Sequence, residues 1–211
     1  MFQKILRRVA SQLKKSSIPY MVIGGQAVLI YGEPRLTRDI DITLGIGVGE
    51  LQRIKKLLHE MGLKVLVKNY RQFVERTMVL PTKDMESEIR VDFIFSFSPY
   101  ERQAIERARD IKVGRTHVRF ASLEDVVIHK VISGRPRDLE DIKSILVKNP
   151  KYDSDYISSW LKEFDQSLDQ NFLQVFKKIE KEVGNKGVTL TPRSLSPGGI
   201  DGKNQKIGKN R

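Results

Sequence analysis

The stretch that decides the fold is Tyr20-Met21-Val22-Ile23-Gly24-Gly25-Gln26-Ala27, together with Arg38-Asp39-Ile40-Asp41 downstream. An apolar strand ends in two glycines, a helix follows, and a second strand carries two carboxylates. Because side chains alternate across a strand, Asp39 and Asp41 lie on the same face. At about 4 Å and an effective dielectric near 20, two such charges repel by about 4 kcal/mol. We therefore expect a divalent cation between them.

The two glycines predict a phosphate-binding turn. Gly24 and Gly25 allow the backbone to approach a ligand closely, and the N-terminus of the following helix offers free N–H groups to phosphate. A phosphate cradle beside metal-binding carboxylates is typical of nucleotide chemistry.

A third carboxylate, Asp92, lies within the otherwise apolar segment Val91-Asp92-Phe93-Ile94-Phe95. A charge in the middle of a strand is costly unless it has a partner. Beside Asp39 and Asp41 on a neighbouring strand, Asp92 would complete a three-carboxylate metal site. The alternative is an aspartate at a strand end that caps a turn.

Composition narrows the class of protein. The 211 residues include 39% hydrophobic residues and no cysteine, which allows one good core and excludes disulfides, a thiol nucleophile and a cysteine-based zinc site. The sequence contains no run of roughly 18 apolar residues, so it predicts no membrane span. The amphipathic start lacks the apolar core of a signal peptide. We expect a cytoplasmic protein without a membrane partner.

The net charge of +12 favours a polyanionic partner such as nucleic acid. Residues 184–211 carry +5 of it, which leaves +7 on residues 1–183. The folded part is therefore basic by itself, although a merely solvated basic surface is the alternative.

Apolar periodicity predicts an α/β (α+β) fold, a small mixed sheet flanked by helices and followed by a helical C-terminal half. We assign a core at 1–121, a helical region completing the cleft at 122–183, and a disordered basic tail at 184–211. The predicted strands are 20–23, 39–44, 63–68, 73–80, 89–95 and 116–120. The predicted helices are 2–16, a short one after Gly25, 50–61, 100–109, 122–132, 136–147, 153–165 and 168–183.

These motifs resemble the DNA polymerase beta-like nucleotidyltransferase superfamily. The resemblance implies a nucleotidyltransferase fold, with Gly24 and Gly25 as the phosphate turn and with Asp39, Asp41 and Asp92 holding Mg²⁺ (or Mn²⁺). Gln26 stands where the family sometimes has a hydroxyl residue.

The second half resembles the abortive-infection toxin subgroup of minimal nucleotidyltransferases. That subgroup carries a helical lysine followed by an Arg-x-x-Asp-x-x-Asp-like segment, here Lys130 and then Arg135-Pro-Arg-Asp138-Leu-Glu-Asp141. Lys130 also lies on the apolar stripe of its helix, so its ammonium could reach nucleotide phosphate or extend out to solvent. Asp138 and Asp141 share a helix face and could orient Lys130, contact the nucleotide, or simply complement the helix dipole. Arg38 could meet phosphate or balance local charge.

Together these features predict a metal-dependent enzyme that transfers a nucleoside monophosphate from NTP to an acceptor hydroxyl. The catalytic residues would be Asp39, Asp41, Asp92 and Lys130. Gly24, Gly25, Arg38, Lys130, Asp138 and Asp141 would bind the nucleotide. RNA, with a tRNA 3′ end favoured, is the expected acceptor in a toxin-antitoxin-like context with a possible cognate antitoxin. A protein or small-molecule acceptor such as an aminoglycoside, and a non-catalytic nucleotide-binding module, are the alternatives.

Overall fold

A computed structural model describes residues 1–96 and 98–187 of the chain. Its seven strands form one mixed sheet in the order β3-β4-β5-β2-β1-β7-β6, which confirms the predicted fold class. The strands are β1 (Tyr20–Ile23), β2 (Asp39–Leu44), β3 (Leu63–Val65), β4 (Val79–Asp84), β5 (Arg90–Phe95), β6 (Arg109–Val113) and β7 (Thr116–Phe120).

Helices flank this sheet, and every element of the described chain from Leu123 onward is a helix. They are α1 (Phe2–Lys15), α2 (Gly24–Tyr31), α3 (Leu51–Leu57), α4 (Tyr70–Thr77), α5 (Pro99–Arg107), α6 (Leu123–Ser133), α7 (Pro136–Lys148), α8 (Ser154–Leu168) and α9 (Phe172–Gly187). No helix in the described residues is long and apolar enough to cross a membrane.

The centre of the sheet places the predicted carboxylates side by side. Strand β2 runs parallel to β5, with Asp41 opposite Asp92, and antiparallel to β1, with Asp41 opposite Ile23. Buried Ile40, Val91 and Phe93 on the same strands anchor this register, because a slip of one residue would turn them away from the core. The core therefore fixes which carboxylates face the cleft.

The prediction of a strand at 73–80 is wrong for most of that segment. Residues Tyr70–Thr77 form α4, which buries only Val74, and Met78 ends the helix in a left-handed conformation with φ 59°. The aromatic and β-branched residues there fit either a short helix or a strand, so periodicity could not decide between them. The sequence also failed to predict β6, which pairs with β7 in a hairpin.

The C-terminal helices pack against each other and onto the core. Helix α6 contacts α2, α7 and α8, and α9 contacts α7 and α8. Helix α9 continues to Gly187, four residues beyond the predicted end of the last helix at 183. The rest of the predicted disordered tail, 188–211, lies outside the described residues. The division at 121/122 falls between β7 and α6 and stays a prediction.

Candidate active site

The turn between β1 and α2 packs directly against Asp41. Gly24 adopts φ +64°, and a Cβ at this position would lie 2.0 Å from Asp41 Oδ2. Both the left-handed backbone and the close carboxylate therefore favour glycine here. The first N–H groups of α2 consequently begin beside one of the predicted metal-binding carboxylates.

The surroundings of Asp41 disfavour its ionised form. Burial, followed by the neighbouring charges of Asp39 and Asp92, raises its pKa to about 6. All three effects disfavour the ionised form, and Lys130 and Arg90 offset them only in part. A bound divalent cation would favour the ionised carboxylate, so this donor set fits a hard metal ion such as Mg²⁺.

Asp92 already has a cationic partner. Arg90, two residues earlier on the same face of β5, donates from Nε to Asp92 Oδ1 at 2.8 Å. Within residues 1–96 and 98–187, no three His, Cys, Asp or Glu side chains are grouped closely enough to hold a metal ion. The carboxylates thus share one face of the sheet without forming a closed metal cage.

Lys130 is buried between the two aspartates of α7. Its Nζ contacts Asp138 Oδ1 and lies 2.9 Å from Asp141 Oδ2. With its side chain only 6% exposed, Lys130 does not extend to solvent. Both aspartates therefore hold this ammonium, which also lines the cleft described below.

The same aspartates hold two arginines. Arg135 Nε donates to Asp138 Oδ2 at 2.6 Å, and Arg35 Nε lies 3.0 Å from Asp141 Oδ1. Burial acts to raise the pKa of Asp138, but hydrogen bonds from Arg135 and Lys130 outweigh it and hold the pKa at about 2. Asp138 is therefore ionised at physiological pH and anchors both cations.

Arg35 extends over the start of α2. Its Nη2 lies 3.4 Å from the position that a Cβ on Gly25 would take, and that Cβ would also meet Thr37 Cγ2 at 2.5 Å. Gln26 donates to Thr37 Oγ1 at 2.6 Å, so its amide braces the loop rather than facing the cleft. The turn therefore combines free backbone N–H groups with a guanidinium that is fixed by Asp141.

These groups line a polar lobe of the cleft, a cavity of 430 Å³. Five cationic and three carboxylate side chains line it: Arg35, Arg38, Lys130, Arg135 and Arg137, with Asp39, Asp41 and Asp138. The described walls are therefore basic overall. Arg38 and Arg137 are exposed, so their guanidinium groups are available to an anion.

An apolar lobe of 610 Å³ continues from the polar lobe. Both lobes are lined by Gly24, Asp41, Lys130, Arg135 and Asp138. The apolar walls come from β1, β5, α5, α6 and α8, and include Ile23, Ile94, Tyr100, Val126, His129 and Phe164.

Aromatic packing fixes one wall of the apolar lobe. Tyr100 contacts His129, Trp160 and Phe164 edge-on, at centroid distances of 5.6, 5.1 and 5.1 Å. Burial, and then the charge of Lys130, lower the pKa of His129 to about 4 although Glu101 opposes them. His129 is therefore a neutral imidazole at physiological pH, with one donor and one acceptor nitrogen.

The structure brings the predicted site residues to one cleft except Asp92 and Asp141, which line neither lobe. Asp92 lies beside Asp41, and Asp141 pairs with Lys130 and Arg35, which do line the cleft. The sequence reasoning did not identify Arg90 or the apolar lobe. The sequence did contain a signal for Arg90, since its spacing of two residues from Asp92 places both side chains on one strand face. No sequence signal marks the apolar lobe, because its walls come from segments that are distant in sequence.

Comparison with known proteins identifies the family. The family model described as "Nucleotidyltransferase of unknown function (DUF6036)" matches residues 2–181. No curated protein matches the chain.

Two solved structures share the fold. The antigenic nucleotidyltransferase-like protein from Paracoccidioides brasiliensis is 15% identical over 78% of this chain and 87% of its own, with a TM-score of 0.54. The antibiotic-resistance factor ANT(2'')-Ia is 12% identical over 89% of this chain and 97% of its own, with a TM-score of 0.53.

Proposed function

The chain belongs to this family of nucleotidyltransferases, and we propose that it transfers a nucleoside monophosphate from an NTP to an acceptor hydroxyl. One observation carries the proposal: the glycine turn, the Asp39–Asp41 pair and five cationic side chains converge on the polar lobe. That combination suits a triphosphate beside a metal-binding carboxylate pair, and it suits few other ligands.

The polar lobe would hold the triphosphate. The first N–H groups of α2 and the guanidinium of Arg35 surround the Gly24-Gly25 turn, and Arg38 and Arg137 add exposed positive charge. Asp138 and Asp141 would act through the cations that they fix, as positioning residues. Lys130 would supply a point charge where the two lobes meet.

Asp39, Asp41 and Asp92 would hold the divalent metal. When bound, Mg²⁺ or Mn²⁺ would supply positive charge to the phosphates and increase the acidity of the acceptor hydroxyl. The raised pKa of Asp41, which a bound cation would lower, and the all-oxygen donor set support this assignment. Arg90 donates to Oδ1 of Asp92 and would compete with the metal for that carboxylate.

In the reaction, the acceptor oxygen forms a bond to the α-phosphorus while the bond to the oxygen bridging the α- and β-phosphates breaks. Pyrophosphate leaves with that bridging oxygen. Asp92 would accept the hydroxyl proton, because it lies opposite Asp41 on the adjacent strand and outside both lobes.

We further propose RNA as the acceptor, with a tRNA 3′ end favoured. The charge of +7 on residues 1–183 supports a phosphodiester partner. The resemblance to abortive-infection toxins supports a toxin-antitoxin-like context with a possible cognate antitoxin. Asp92 lies outside both lobes and next to the half-exposed Arg90. A large substrate would approach Asp92 from that side.

The test follows label from each α-labelled NTP into RNA, protein and small-molecule fractions of a total cell extract containing Mg²⁺. We expect label in RNA, with a yield that falls steeply as salt is added, since each neutralised phosphate releases counterions. Arg38→Glu with Arg137→Glu should impair transfer, and Arg115→Glu, at an exposed arginine in the β6–β7 turn, should not. Label only in protein or in a small alcohol would refute the RNA acceptor and leave nucleotidyl transfer intact.

A further inference from the structure

The apolar lobe is joined to the proposed triphosphate site but has no role in the reaction so far. Its 610 Å³ opens at Gly24, Asp41 and Lys130, where the α-phosphate would lie in the proposed function. We propose that this lobe holds the base and sugar of a purine NTP, with His129, Tyr100 and Phe164 as the residues that select the base. The inference rests on the proposed function and names the substrate class of the same site.

Continuity of the two lobes is the first argument. An NTP combines a highly charged chain with a flat, largely apolar ring, and the cleft offers a basic part and an aromatic part in that order. The shared residues Gly24, Asp41 and Lys130 mark the junction. A triphosphate in the polar lobe therefore directs its nucleoside towards the apolar lobe.

The chemistry of the walls is the second argument. Tyr100 and Phe164 are held edge-on to each other at 5.1 Å, so one aromatic wall is fixed before a ligand arrives. Stacking on aromatic side chains favours the larger two-ring purines over the single ring of a pyrimidine. The neutral His129 can both donate a hydrogen bond to a base edge and accept one.

The position of Asp92 argues against placing the acceptor in this lobe. The acceptor oxygen must reach the α-phosphorus roughly in line with the departing pyrophosphate. Asp92, the proposed proton acceptor, lines neither lobe. An acceptor beside Asp92 leaves the apolar lobe free for the nucleoside.

The test is calorimetric binding to the full chain in Mg²⁺, with inorganic tripolyphosphate, ATP, GTP, CTP and UTP as probes. We expect purine NTPs to bind about tenfold more tightly than pyrimidine NTPs or tripolyphosphate, because the latter lack the two-ring stack. Phe164→Leu keeps the apolar bulk and removes the ring. It should remove most of the purine preference and leave tripolyphosphate affinity unchanged.

Phe172→Leu is the matched control, since Phe172 is also a half-buried helical phenylalanine but lies outside both lobes. It should change neither affinity. Val126→Met, which narrows the lobe without adding a ring, should weaken purine NTP binding and spare tripolyphosphate. Val126→Met also provides a second test if Phe164→Leu does not fold.

Equal affinities of the wild-type protein for purine NTPs, pyrimidine NTPs and tripolyphosphate would overturn the base-binding role and leave the phosphate site intact. So would a Phe164→Leu variant that binds NTPs normally but has a raised KM for the acceptor, which would assign the lobe to the acceptor. Failure of the wild-type protein to bind any NTP or tripolyphosphate would instead overturn the proposed function itself, together with this inference.

Discussion

The polar and apolar lobes share several lining residues but differ in how their side chains affect the stability of the fold. In the polar lobe, like charges lie close together, and burial raises the pKa of Asp41 to about 6. In the apolar lobe, Tyr100 and Phe164 stabilise the fold by packing on their neighbours. The proposed metal and phosphate site in the polar lobe therefore lowers the stability of the fold, whereas the packing that would bind the base in the apolar lobe also stabilises the fold.

The largest expected effect comes from removing the carboxylate pair of the polar lobe. Asp39→Asn with Asp41→Asn should reduce pyrophosphate release about a thousandfold or more, because the proposed metal ligands and their charge are lost. Thermal stability should be unchanged or increased, since the like-charge repulsion is relieved. Pyrophosphate release and differential scanning calorimetry measure the two effects.

Asp110→Asn is the control for that double variant, because Asp110 is exposed on β6. It should affect neither activity nor melting temperature. Full activity of the Asp39→Asn, Asp41→Asn protein, or of the wild-type protein in excess chelator, would contradict the metal-site assignment.

Lys130 should be the most stability-sensitive residue of the polar lobe. Lys130→Met leaves Asp138 and Asp141 without their shared cation, and breaking a buried ion pair costs about 3 kcal/mol. For a chain of this size the melting temperature should fall by about 6–12 °C. The sequence alone left open whether Asp138 and Asp141 hold this lysine.

A charge-balanced variant separates folding from function at Lys130. In Lys130→Met with Asp138→Asn, Asp141 keeps Arg35, and the exposed Arg135 is free to be solvated. Most of the lost stability should return, but NTP affinity should not. Recovery of NTP affinity together with stability would show that Lys130 is purely structural.

Arg90 should compete with the metal for Asp92. Its side chain is 53% exposed, and ion pairs of this kind are worth at most about 1 kcal/mol. Arg90→Ala should therefore raise Mn²⁺ affinity by up to about fivefold, as measured by calorimetry without nucleotide. Arg115→Ala controls for the loss of one positive charge. Weaker Mn²⁺ binding in Arg90→Ala would contradict the competition.

The smallest expected effect concerns the pH response of the apolar lobe. The pKa of His129 is lower in the folded protein, about 4, than its ordinary value of about 6.5. The unfolded chain therefore binds the extra proton first, and this residue's contribution to stability is lost as pH falls from about 6.5 towards 4.

His129→Leu should remove that contribution to the pH dependence. Between pH 7 and about 5.7, the melting temperature of the variant should fall less than that of the wild-type protein, by roughly 2–4 °C. The exposed His117 provides the control, since His117→Gln should keep the wild-type response. Identical slopes for wild type and His129→Leu would show that the imidazole is not held neutral.

The two lobes differ in how far the sequence predicts them. Local motifs mark the polar lobe and the residues that support it: the Gly24-Gly25 turn, the alternating Asp39 and Asp41, and the helical spacing of Asp138 and Asp141. The apolar lobe depends on how α5, α6 and α8 meet, so Tyr100 and Phe164 have no shared signal in the sequence. The same limit explains α4, where local preference was ambiguous and the surrounding structure decides.

The central claim is tested most directly by supplying purine NTPs labelled at either the α- or the γ-phosphate, with Mg²⁺ and cellular acceptors. The account predicts that α-label enters an acceptor and γ-label leaves in pyrophosphate, and that neither occurs with the Asp39→Asn, Asp41→Asn protein. Transfer of γ-label to the acceptor, or equal transfer of α-label by wild type and the double variant, would contradict it.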